Sequence, residues 1–227
     1  MKKIKKFLCL ALVVCLMVPA ALILTACNQS VVTVSTFDEL TLALSGDKEV
    51  IKLSADITSA QSIIVERKVT FDLNGKTLKG SGYDGVFYVK ENGDLTIKGN
   101  GKVVAQEDRK YAMAIWADGN SKVLIENGSF SQEITGSDTQ YDMIYAKGSA
   151  EITILGGKFE SVTPQWTLNI KDSDNQVAKF IVKGGEFKAY NPEDSKTEPA
   201  GVSANFVHED YKSVYDEATD TYKVVKK

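Results

Sequence analysis

The sequence predicts an all-β protein wound as a parallel β-helix, on three observations. One motif recurs at residues 69–75, 95–101, 123–128, 152–157 and 180–185, an alternating apolar stretch closed by Gly or Asn. Taking Phe71, Ile97, Ile125, Ile154 and Val182 as equivalent, the copies lie 26, 28, 29 and 28 residues apart, and a period in this range marks a solenoid. Residues within each copy alternate with period two, as in strands with one buried face. The Gly/Asn corner also keeps its register, and Val103, Phe130, Phe159 and Phe187 follow the last four corners.

These positions define three strands per turn. Phe87, Ile115, Ile144 and Leu168 match, as do Val89, Ala117, Ala146 and Ile170 two places on. In the next strand Leu95, Val123, Ile152 and Phe180 align, with Ile97, Ile125, Ile154 and Val182 beside them. All these columns are apolar and should point inward, with Val103 and the three Phe residues as the inward column of a third strand. Successive turns of such a coil stack ~4.8 Å apart, so like residues lie on like. The corner Gly and Asn supply positive φ, where a Cβ would clash. A leucine-rich repeat is excluded, because neither its Leu spacing nor a helix per repeat is present. A propeller or antiparallel sandwich would not hold one glycine corner in register.

The ends read differently. Residues 35–44 form an amphipathic helix: Ser35 or Thr36 can cap it, Asp38 and Glu39 suit its first turn, and Gly46 ends it. Phe37, Leu40 and Leu44 share a face that should cover the open apolar end of the coil. Residues 50–53 and 63–65 make a first, shorter turn. Residues 189–199 read as loop from their Pro and polar content. Residues 211–215 and 221–225 read as a hairpin over the other end.

The first 26 residues stand apart. Lys2, Lys3, Lys5 and Lys6 precede an 18-residue apolar run, 7–24, and then Leu24-Thr25-Ala26-Cys27. A basic start, an apolar core and small residues before a cut describe a secretory signal. The tetrad resembles the lipobox of bacterial lipoproteins. That implies a diacylglyceryl group on Cys27 and a lipid anchor on the extracytoplasmic face of a bacterial membrane. The other reading is an uncleaved span with an incidental Cys, since a run of this length marginally crosses a bilayer. Residues 27–33 are then the lipidated Cys and a short tether, 34–190 the capping helix and coil, and 191–227 the loop and terminal cap. Cys9 and Cys15 leave with the signal, so the mature domain can hold no disulfide and no thiolate metal site. Four of the 27 basic residues leave too, which sets 23 against 30 acidic ones. Without a basic stripe, that balance argues against nucleic acid.

Val69-Thr70-Phe71-Asp72-Leu73-Asn74-Gly75-Lys76-Thr77-Leu78 and the Gly-Gly-x-Phe corners at 156–159 and 184–187 resemble the pectate-lyase-like right-handed β-helix superfamily. The likeness is to its members among bacterial cell-surface and prophage-associated proteins. Ala189-Tyr190-Asn191-Pro192, with Asn205-Phe206-Val207 and Tyr211-Lys212, is similar to their C-terminal ending. The resemblance covers about residues 34–225. It implies a right-handed coil, here of about five to six turns at this period. It is weak for function, because the fold carries lyases, hydrolases, adhesins and phage tailspikes.

Function should lie on the outward columns. Tyr88, Trp116, Tyr145 and Asn169 match, with Val86, Ala114, Met143 and Thr167 on one side and Lys90, Asp118, Lys147 and Lys171 on the other. Aromatic faces with polar neighbours suit sugar rings. The same residues also stabilise a sheet simply by stacking across strands, at ~0.2–1 kcal/mol per pair. The resemblance implies, for a lyase, acidic ligands to Ca²⁺ and a basic proton abstractor, and for a hydrolase, clustered Asp. Arg67 and Arg109 match no carboxylate pair, Asp118 stands among lysines, and Asp138, Asp142, Asp172 and Asp174 fall in loops. Ca²⁺ needs 6–8 oxygen ligands, so no catalytic residue, metal site or cofactor is assigned. His208 lacks a second His or a nucleophile in register and reads as an exposed loop residue. The expected role is a membrane-tethered, non-catalytic binding module for a polysaccharide or an envelope protein. A polysaccharide lyase or glycoside hydrolase, and a structural spacer that docks a protein, stand as alternatives.

Overall fold

The computed structural model describes residues 30–106, 111–134, 142–171, 177–197 and 202–227. Among these the chain winds as a parallel β-solenoid of three sheets with one α-helix. The first sheet stacks Val31–Val34, Val50–Leu53, Lys68–Asp72, Asp94–Lys98, Lys122–Ile125, Glu151–Ile154 and Lys179–Val182, all parallel. The second stacks Ile63–Val65, Phe87–Val89, Ile115–Ala117, Ile144–Ala146 and Leu168–Ile170. The third runs Ile57–Ser59, Thr77–Gly80, Lys102–Gln106, Ser129–Glu133, Lys158–Glu160 and Glu186–Lys188.

The coil makes about four turns, fewer than the five to six expected. The full repeat accounts for the steps from Phe71 to Val182. The turn before it is a shortened loop of three- and four-residue strands, and after Glu186–Lys188 the chain leaves the coil. At the N-terminal side, residues expected as tether are strand: Val31–Val34 pairs in parallel with Val50–Leu53.

All the apolar columns read from the sequence face the core and are buried. Like stacks on like most clearly in the third sheet. The Phe130 and Phe159 rings lie 5.0 Å apart at 6°, and Phe159 and Phe187 lie 4.7 Å apart at 10°. The corner that feeds this stack requires glycine. Gly157 has φ +107°, and a Cβ there would sit 2.9 Å from the Gly128 carbonyl oxygen of the turn below. Entry to the second sheet departs from strict alternation. Val86, Ala114, Met143 and Thr167, expected beside the outward aromatics, are buried together with the residues that follow them. The bend between sheets turns two successive side chains inward at that point.

Helix α1, Phe37–Ser45, closes the first end with Leu40 and Ala43 buried in the core. Thr36 is its N-cap, accepting from the Glu39 N–H at 3.2 Å. Glu39 Oε2 in turn accepts from the Ser35 N–H at 2.7 Å and the Ser35 hydroxyl at 2.8 Å. These bonds satisfy donors at the helix start and hold the Glu39 carboxyl below the usual range. Arg67 locks the other terminus. Its guanidinium donates to the carbonyls of Ala43, Leu44, Lys48 and Lys68 at 2.9–3.1 Å. A cation suits the negative end of a helix.

The far end is closed differently from expectation. The hairpin of Tyr211–Asp216 and Thr221–Lys226 covers only part of the opening, burying Val224 in the core with Tyr211 packed against it. It extends the third sheet, Thr221–Lys226 pairing antiparallel with Glu186–Lys188. The segment between Glu186–Lys188 and the hairpin, of which 189–199 read as loop, covers the rest. Tyr190, Phe206 and Val207 are buried, Phe206 packs on Phe180 at 4.9 Å, and Val207 bridges Val182 in parallel. Within that segment Ser195–Thr197 and Val202–Ala204 pair antiparallel. The Tyr190 hydroxyl is 2.6 Å from Ser195 Oγ and donates to the Leu168 carbonyl at 3.3 Å. Burial pushes its phenol well above the usual range.

Candidate functional site

The second sheet positions the aromatic column. Tyr88, Trp116, Tyr145 and Asn169 are register partners on successive turns. Tyr88, Trp116 and Tyr145 lie half-buried on the outer face, because each sits between two inward residues of a three-residue strand. Neighbouring rings are 5.7 Å apart in both steps, tilted by 52° and then 89°. The column is therefore not one flat platform: Trp116 meets Tyr145 edge to face. Ile64 precedes Tyr88 in the same column and is exposed. Its place between inward Ile63 and Val65 was the signal that could have added it.

Asn169 departs from expectation. It is fully buried and donates from Nδ2 to Asp142 Oδ1 at 2.9 Å. All three residues of Leu168–Ile170 are buried, because the Ser195–Thr197 strand packs against them. The exposed ladder thus ends at Tyr145.

The polar flank is ion-paired. Lys90 Nζ lies 2.9 Å from Glu66 Oε1 and 5.7 Å from the centre of the Tyr88 ring. Lys147 Nζ lies 3.0 Å from Asp118 Oδ2, whose other oxygen accepts from the Gly119 N–H at 2.7 Å. Burial, then the negative charges of Asp118 and Asp84, raises the Tyr88 phenol. The hydrogen bond that Lys90 donates to Glu66 raises Lys90.

Beside the ladder lies a groove of about 370 Å³, walled by Tyr111, Trp116 and Tyr145 and edged by Asp142, Lys147 and Lys171. Tyr83 meets Tyr111 edge-on at 5.0 Å. Sequence reasoning missed Tyr83 and Tyr111, because both lie outside the repeat columns. A buried amide braces the groove. Gln132 donates to the carbonyls of Ala112 at 2.9 Å and Asp142 at 3.1 Å, and accepts from Ser161 Oγ at 2.8 Å and the Val162 N–H at 3.1 Å. Its alternation phase points it inward, where polar residues are costly unless fully bonded, and that was a readable signal. Among the described residues the buried Trp116 indole N–H finds no hydrogen-bond partner.

Two other grooves are larger, about 610 Å³ on the outer face of the third sheet and about 600 Å³ beside α1. The first is lined mainly by charged and hydroxyl side chains over the edges of the core rings Phe130 and Phe159, and the second by side chains of the helix end and its neighbours. Cys27, Arg109, Asp138, Asp172 and Asp174 lie outside the described residues. His208 is half-buried rather than exposed, 3.5 Å from Asp210 and edge-on to Tyr211. Arg67 is committed to the helix end, so its role is structural. Among the described residues no three His, Cys, Asp or Glu side chains group as a metal site, and no helix is long and apolar enough to cross a membrane. Comparison with protein-family models, with curated proteins and with solved structures gives no match to this chain.

Proposed function

We propose that this chain is a lipid-anchored extracytoplasmic module that binds glycans through the outer face of its second sheet. The observation that carries the reading is the half-exposed Tyr88–Trp116–Tyr145 column with a groove opening beside it. A sugar offers an apolar ring face and a rim of hydroxyls. The edge-to-face rings give the first a place to pack, and the donors and acceptors of Asp118, Asp142, Lys147 and Lys171 give the second partners. The edge-to-face geometry at Trp116 favours one or two sugar units held in the groove over a long chain lying along the sheet. The lipobox-like Leu24-Thr25-Ala26-Cys27 supplies the anchor in this reading, and with it a bacterial cell surface. A right-handed coil and kinship with the surface-protein branch of the pectate-lyase-like superfamily are parts of the same proposal.

A glycan-array screen of residues 28–227, which carry the whole described fold, tests it beside Trp116→Ala. Binding that Trp116→Ala abolishes is the expected result. Absence of binding to any glycan, or binding indifferent to the substitution, would overturn the assignment of this face. Labelled palmitate incorporation that is lost in Cys27→Ser tests the anchor separately.

A further inference from the structure

We propose that two copies of this chain pair through the Tyr211–Asp216 strand, edge to edge and antiparallel, joining their third sheets across a twofold axis. The proposal does not depend on glycan binding. It starts from the terminal hairpin, which extends the third sheet where a cap over the coil was expected. Tyr211–Asp216 is the outermost strand of that sheet, and among the described residues no strand pairs with its outer side. It is six residues long, contains no proline, and exposes Val214 and Tyr215. A strand edge with unpaired main-chain groups is a template for another strand unless something blocks it.

The hydrogen bonds already made fix which main-chain groups remain. Val224 N–H donates to the Gly185 carbonyl, and Ala189 N–H to that of Asp220. Residues 220, 222 and 224 therefore face Glu186–Lys188, and 221, 223 and 225 face the outer strand. Their partners there are Asp216, Val214 and Lys212. By the alternation of antiparallel ladders, Ser213 and Tyr215 direct their N–H and C=O groups outward, as does the Tyr211 carbonyl.

A second strand can bond only in registers that place outward groups against outward groups. Pairing Ser213 with Tyr215 of the second copy does so, and the twofold axis repeats that pair. In this register Val214 faces its own copy at the axis, and Lys212 faces Asp216 on either side. All three sit at non-bonded positions, where side chains approach closest. The register shifted by four residues sets Lys212 against Lys212. The register between them leaves both charges without an opposite. The sequence Tyr211-Lys212-Ser213-Val214-Tyr215-Asp216 is thus self-complementary in charge in one of the registers its hydrogen bonding permits, which is what a twofold interface requires. Asp216 also accepts from the Ala218 N–H and Thr219 hydroxyl within its own turn, and this fixes its carboxylate at the strand end.

Disulfide trapping tests the register. Residues 28–227 contain no cysteine, so single substitutions report cleanly, and Lys212, Val214 and Asp216 are exposed, so folding is not at issue. Under mild oxidation Val214→Cys should form a covalent dimer. Lys212→Cys alone should not, but mixed with Asp216→Cys it should form the heterodimer. Equal cross-linking by all three alone would reveal chance collision and overturn the register. Failure of Val214→Cys to cross-link would overturn the interface. Sedimentation velocity over a concentration series gives the second arm. The unmodified protein should show a dimer, and Lys212→Glu, which sets Glu against Asp216, should raise the dissociation constant at least tenfold. A monomer at every concentration would overturn the proposal.

Discussion

Replacing Phe159 with alanine removes the middle ring of the stack inside the third sheet. That ring is 1% exposed and lies between Phe130 and Phe187 at 5.0 and 4.7 Å. Deleting a buried Phe side chain costs about 3–5 kcal/mol when the surroundings cannot close in. Here they cannot. The ring is flanked by the turns above and below, and the glycine corners press on it: a Cβ on Gly157 or Gly185 would lie 3.5 or 3.3 Å from its edge. Each lost ring contact adds about 0.5–1.5 kcal/mol of specific interaction, which places Phe159→Ala near 5 kcal/mol. That is a large share of the about 5–15 kcal/mol that holds a domain folded. Phe159→Leu keeps most of the volume and should cost about 1.5 kcal/mol. Urea unfolding of residues 28–227, followed by far-ultraviolet circular dichroism and tryptophan fluorescence, measures both. A loss below about 2 kcal/mol for Phe159→Ala, or equal losses for the two variants, would refute the account of a core that stacks ring on ring without slack.

Arg67→Met should cost about 2–3 kcal/mol, because it strips a charged donor from the carbonyls of Ala43 and Leu44 at the end of α1 and of Lys48 and Lys68 beside it; faster amide exchange centred on Phe37–Ser45 would locate the effect. Gly157→Ala forces a Cβ into φ +107° and against the Gly128 carbonyl, and a loss of about 1–3 kcal/mol in the same urea assay is expected. Tyr190 gives a pH signature. Its folded-state pKa is raised by burial, so the unfolded chain loses this proton first. Stability is then full below the ordinary tyrosine value near 10 and falls as pH rises through it, by up to about 1.4 kcal/mol per unit. Tyr190→Phe should flatten that alkaline slope while lowering stability at neutral pH, through loss of the bonds to Ser195 and Leu168.

The coil was legible in the sequence because its determinants are local and repeated. Ile97, Ile125, Ile154 and Val182 fall in one column by counting residues, and the structure pairs them in that register. What the sequence did not disclose depends on distant partners. Val31–Val34 has no repeat corner to announce it, and it is a strand only because Val50–Leu53 offers an edge. Asn169 was placed in the right column but on an open surface. Its burial is set by the Ser195–Thr197 strand, a contact that no periodicity encodes. The hairpin was found, but its place at the sheet edge follows from Phe187 meeting Tyr222 in register, and an apolar pattern that would equally suit a cap does not specify that. Of the candidate site, the Tyr88–Trp116–Tyr145 column came from the repeat. The groove beside it is walled by Tyr111, which Tyr83 meets edge-on, and ordinary loop composition conceals both.

Oxidative footprinting of Trp116 tests the central claim most directly. Residues 28–227 would be exposed to hydroxyl radicals with and without the tightest glycan from the array, and modification of each tryptophan read by mass spectrometry. The account predicts that glycan protects Trp116, Tyr145 and Tyr111 several-fold, while Trp166, Tyr215 and Tyr222 react as before. Protection of Tyr215 and Tyr222 with Trp116 unchanged would place the ligand on the third sheet and contradict it.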